Sequence, residues 1–94
     1  MPYQGGMNTE LDESIARRYL PVILRRYRDA AGLSQQDLVN IVGVSKGFYS
    51  SLELGKRVPN LDMLVKIAGA CNVKPCELLD AMVNVKKNDW KAPP

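Results

Sequence analysis

The chain is 94 residues long, 46% hydrophobic and 24% charged, with a formal net charge of +3, two cysteines and no histidine. This length accommodates one small domain with a limited core, which favours oligomer contacts. With no histidine and only Cys71 and Cys76, a four-ligand zinc site cannot be assembled within one chain; the usual nucleophile-base pairs and Gly-rich phosphate cradles also lack their parts, so neither an enzyme nor a metal or other cofactor is expected. No apolar run approaches the roughly 20 residues of a membrane span and no signal-like stretch opens the chain, so a cytoplasmic protein is expected.

The opening MPYQGGMNTE is polar and glycine-bearing, and Met7 within it is a candidate native start. Residues 1–8 read as a disordered extension. Thr9 or Asn8 caps a helix through LDESIARRYL, with Glu10, Asp12 and Glu13 near its positive N-terminal end. Leu11, Ile15, Tyr19, Ile23 and Tyr27 keep an i, i+4 phase across Pro21, a pattern that one kinked helix or two abutting helices both satisfy. We place a break near Leu20, giving an extra N-terminal helix over 9–20 and a following helix from about Val22 to Ala31. Arg17, Arg18, Arg25, Arg26 and Arg28 on this stretch read either as a solvated helical face or as a basic rim for phosphates.

Ser34 and Asp37 have the spacing of a capping box, so Gln35 opens the next helix, with Leu38, Val39 and Val42 inward and Gln36 and Asn40 outward. Gly43 stops it in a left-handed conformation, Val44 seals the turn and Ser45 caps a further short helix. In that helix Tyr49 and Leu52 face inward, while Lys46, Gly47, Ser50, Ser51 and Leu54 lie on the opposite arc. A short helix held by its neighbour, with small or polar side chains outward and a lysine at its start, suits a DNA major groove. Asn60 caps a helix from Leu61 to Cys71, on the apolar stripe Leu61, Leu64, Ala68 and Cys71, and Asn72 closes it. Pro75 fits the first turn of a last helix, Cys76 to about Val83, and residues 85–94 form a flexible tail around Trp90. Both cysteines are expected as free thiols, Cys71 in the core.

From Arg28 and Gly32 of RDAAG, through LSQQDL, VGVS, SLELGKRVPNL and LVKIAGACNVKPCELL, the chain resembles the Cro and phage-repressor type of helix-turn-helix domain, the XRE-like family. The resemblance covers about Val22 to Leu79, with Gly43, Tyr49, Leu52, Glu53, the E-x-G-K-R exit and Pro59 where the family has such residues. The chain departs from the family with Val39 for alanine, Tyr49 for isoleucine or valine, and Leu54 for asparagine. The fold so implied is an all-α, five-helix phage-repressor-like domain over 21–84, plus the extra N-terminal helix.

It implies a sequence-specific DNA-binding regulator that inserts the helix 46–53 into the major groove of a pseudo-palindromic operator as a homodimer. Lys46, Gly47, Ser50 and Ser51 are then the base-contact candidates, and Gln35, Ser45, Lys56 and Arg57 the phosphate-contact candidates. Arg28 matches the family's structural arginine, which pairs with the glutamate found here as Glu53. The family's dimer contacts imply Leu79, Met82 and Val83, extended by Val85 and Trp90; the same side chains alternatively cover the domain's own fourth helix, as we expect for Leu78. A competing class is a protein-interaction module, such as an antitoxin component or regulatory adaptor, using 9–20 or the tail around Trp90.

Overall fold

The computed structural model describes residues 15–86, 91 and 93. Within them the chain forms five helices and no strands: α1 (Ile15–Ala30), α2 (Gln35–Val42), α3 (Lys46–Glu53), α4 (Leu61–Ala70) and α5 (Pro75–Lys86). Residues 9–14 of the expected extra helix, and Trp90, lie outside the described residues.

The expected break near Leu20 does not occur, and α1 runs through Pro21 without interruption. Proline removes one backbone hydrogen bond and crowds the preceding turn, at about 3 kcal/mol. Leu20, Ile23 and Leu24, on either side of it, are all buried, and each such side chain contributes about 1.5–3 kcal/mol on full burial. Burial across the proline therefore outweighs the lost bond, and residues 15–20 are the first turns of α1, not a separate helix.

One core joins the elements: Leu20, Ile23, Leu24 and Tyr27 from α1, Leu38 and Val39 from α2, Tyr49 and Leu52 from α3, Leu64, Ile67 and Ala68 from α4, and Leu78 and Ala81 from α5, with Cys71 at the end of α4. Leu61, expected on this stripe, is instead 75% exposed, because it occupies the first position of α4, a turn before the helix enters the core at Leu64. α5 continues to Lys86, beyond the end expected near Val83.

The short helices hold their ends by caps. Ser34 and Asp37 exchange the two bonds of a capping box, the Asp37 N–H donating to Ser34 Oγ at 2.9 Å and the Ser34 N–H to Asp37 Oδ2 at 3.0 Å. Hydrogen bonding from Ser34, its backbone N–H first, holds the exposed Asp37 carboxyl below its ordinary range. Ser45 and Asn60 cap α3 and α4 with their side-chain oxygens alone, accepting from the N–H groups of Phe48 and Met63.

Four helices end alike. Gly32, Gly43, Gly55 and Asn72 each have positive φ, and the N–H of the next residue reaches back five residues: Leu33 to Arg28, Val44 to Val39, Lys56 to Ser51 and Val73 to Ala68. This is the Schellman arrangement, or a close variant at Gly43, and it satisfies carbonyls that the helix leaves without donors. At Gly32 and Gly43 an added Cβ meets nothing within 4 Å, so substitution there costs backbone strain alone. Gly32→Ala and Gly43→Ala are each expected to lower stability by about 1–2 kcal/mol, and by similar amounts, in urea melts. Asn72→Gly is expected to raise it by a few tenths of a kcal/mol.

Candidate nucleic-acid interface

The α2-turn-α3 unit presents α3 as a helix with one buried and one open face. Tyr49 and Leu52 are buried, Lys46 and Gly47 are exposed, and Ser50 and Ser51 are half-exposed. The base-contact candidates thus share the outer surface of one helix, with the exposed side chain of Leu54, at the helix C-cap, on the same arc. The Ser51 hydroxyl donates to the Phe48 carbonyl within the helix, which leaves its oxygen lone pairs as acceptors.

Beside this face lies an open depression of about 670 Å³, lined by Ser45, Gly47, Phe48, Ser51, Lys56 and Arg57. Three of the four phosphate-contact candidates therefore meet in one place. The Arg57 guanidinium stands 5.9 Å from the Phe48 ring centroid, a cation-π distance that holds the charge over the groove. Phe48 has no place in the sequence reading. Its role depends on a turn that brings Arg57 back onto α3, and neither helical periodicity nor motif spacing encodes that contact.

The fourth candidate, Gln35, is placed differently. Its side-chain amide donates to Glu53 Oε1 at 3.0 Å, which ties the start of α2 to the end of α3. Glu53 is the centre of the buried polar set. Arg28 Nε donates to Glu53 Oε2 at 2.6 Å and Nη2 to Oε1 at 3.0 Å, while Nη1 donates to the Leu33 carbonyl at 2.8 Å. The two side chains are 10% and 5% exposed, so both charges have left water. Their hydrogen bonds raise the Arg28 pKa further above its already high ordinary value. Burial alone pushes the Glu53 carboxyl up, but hydrogen bonds led by Arg28 hold it below the ordinary carboxylate range.

Tyr49 sits against this pair. It is fully buried, and its hydroxyl lies near Glu53 without meeting the geometry of a hydrogen bond to any described residue. Burial first, and then the adjacent carboxylate, drive the phenol far above its usual range, so it stays neutral. Burial likewise raises the Cys71 thiol.

Of the dimer candidates, Leu79 and Val83 stand exposed one turn apart on α5, Met82 is half-buried against the core, and Leu78 is fully buried. Among the described residues no helix is long and apolar enough to cross a membrane.

The model of the XRE-type helix-turn-helix family matches residues 24–78, more than half of the chain. The chain belongs to this family, and it is a DNA-binding helix-turn-helix regulator. No curated protein and no solved structure matches the chain.

Because the folded-state pKa of Glu53 is depressed, the unfolded chain takes up this proton first as pH falls. The pair's contribution is therefore full above the unfolded carboxylate value of about 4.3 and is lost on acidification through the lower folded value. Glu53→Gln is expected to show a flatter fall in stability than wild type between about pH 5 and pH 3. Arg28→Met or Glu53→Gln alone strands a buried partner, at roughly 3–5 kcal/mol, and the double variant should lose less than the two singles together. Additive losses in denaturant melts would exclude the coupling.

Proposed function

We propose that the protein is a sequence-specific transcriptional regulator that binds as a homodimer to a pseudo-palindromic duplex, each subunit laying α3 into a major groove. The observation that carries this reading is the outer face of α3, small and polar at Gly47, Ser50 and Ser51 with Lys46 at its start, bordered by a groove with Lys56 and Arg57 on its rim. A helix enters the major groove where its outward side chains are small enough to approach base edges, and cations beside it bind the phosphates. Lys46, at the start of α3, takes the guanine-reading position, with Gly47, Ser50 and Ser51 along the same face. Ser45, Lys56 and Arg57 hold phosphates. Gln35 contributes at the start of α2, with its amide already oriented by Glu53.

One such helix reads few base pairs, so the usual specific affinities of about 10⁻⁸–10⁻¹¹ M call for two-fold pairing with half-sites about one helical turn apart. We assign the pairing surface to Leu79 and Val83 with Met82 beneath them, because two exposed apolar side chains on one stripe of α5 offer a seam for its symmetry mate.

Selection of bound duplexes from a random pool tests the whole reading: enrichment of a palindromic site supports it, and recovery of unselected sequence removes it. On the selected site, Lys46→Ala is expected to relax one base pair at a cost of roughly 1–3 kcal/mol, while Lys56→Ala weakens all duplexes alike and lowers the salt slope by about one. Equal loss on selected and scrambled duplex for Lys46→Ala would take the base-reading role away. Met82→Asp is expected to shift sedimentation to the monomer at micromolar concentration. An unchanged mass with an intact circular-dichroism spectrum would remove α5 from the interface.

A further inference from the structure

The C-terminal turn of α3 differs from the other three helix ends in one respect. In the Schellman arrangement the residue after the left-handed one is typically apolar and packs back on the helix. Leu33, Val44 and Val73 do so, each partly buried against the core. After Gly55 the corresponding residue is Lys56, which is exposed, so no apolar side chain seals this turn from within.

The seal comes instead from α1. Arg17 Nη1 donates to the Gly55 carbonyl at 3.2 Å and to the Lys56 carbonyl at 3.4 Å. One turn later on the same stripe, Pro21 Cγ lies 3.4 Å from where a Gly55 Cβ would stand, and the Arg17 carbonyl 3.6 Å from it. Gly55 therefore satisfies two demands, the positive φ of +76° and a close approach to α1. Lys56 is gripped on both sides of its backbone, its N–H on the Ser51 carbonyl at 2.9 Å and its own carbonyl on Arg17. Arg17 and Pro21 both precede the stretch 24–78 shared with the family.

We propose that the N-terminal half of α1, through Arg17 and Pro21, is an external seal for the exit turn of α3, and that it frees the sealing position for a cation, Lys56, aimed at a DNA phosphate. The seal rests on the contacts above, and the use of Lys56 rests on the DNA-binding reading. Arg17 is on this account a positioning residue: it acts through Lys56 and makes no phosphate contact of its own.

Two measurements on the full chain test it. In free protein, Arg17→Ala should speed amide exchange at Lys56 and Arg57 severalfold while leaving the amides of α4 unchanged. In binding, Arg17→Ala should weaken selected and scrambled duplexes alike by about two- to tenfold, the range one hydrogen bond supports. In a Lys56→Ala background the same substitution should have no further effect. Unchanged exchange at Lys56 overturns the seal. Losses that multiply in the double variant, with a salt slope lowered by about 0.9 for Arg17→Ala alone, overturn the positioning role in favour of a direct phosphate contact. If wild type binds no duplex, the DNA-binding reading and the role of Lys56 fail together, and the exchange data alone decide the seal.

Discussion

The Arg28–Glu53 fork is the constraint on which the geometry of the interface depends. It joins the last turn of α1 to the last turn of α3, takes in the Leu33 carbonyl at the entrance to α2, and through Gln35 reaches the first turn of α2. Three helices thus have their mutual angles set by one carboxylate and one guanidinium. Moving two charges out of water costs several kcal/mol per ion, which the attraction between them largely offsets, so the gain is directional more than energetic. A planar fork accepts only a narrow range of approach angles. The pairing also removes the single negative charge of α3 from its outer surface, where it would repel a phosphate backbone.

That constraint matters because α2 and α3 are only eight residues each. Helices this short are marginal on their own in water, so they persist through capping and packing. Ser34 and Ser45 supply acceptors at the N-termini, and Gly43 and Gly55 end the helices without stranding carbonyls. The inner face of α3 is then anchored by Tyr49 and Leu52, which leaves its outer face without structural duty. Tyr49 fills the position with an aromatic ring, bulkier than an isoleucine or valine side chain, and its hydroxyl ends beside Glu53. A neutral phenol there is tolerated because the carboxylate next to it is already satisfied by Arg28 and Gln35.

Much of the fold is legible in the chain. Caps, stop glycines and the 3.6-residue periodicity act within a few residues, so S-x-x-D at Ser34, the glycine at 43 and the asparagines at 60 and 72 mark α2 and α4 to within a residue or so. The inward residues of α2 and α3 follow from the same spacing, and the family motif adds where those helices belong. The outcome at Pro21 was not legible, since proline's local preference opposes helix and only the summed burial of Leu20, Ile23 and Leu24 reverses it. Leu61 misled for a related reason: periodicity says which stripe a residue occupies, but not where along the helix the neighbouring elements stop.

Local sequence by itself determined the caps and stops of α2, α3 and α4, the buried face of each short helix and the family to which the chain belongs. Tertiary structure alone decided that α1 passes unbroken through Pro21, that Gln35 turns its amide to Glu53, that Arg57 stacks on Phe48, and that Arg17 closes the turn after α3. The first set depends on interactions between residues up to five apart, which are written in spacing. The second joins residues distant in the chain or folded back by a turn, such as Arg17 and Gly55 across 38 positions, and those meetings exist only once the core has fixed how the helices lie.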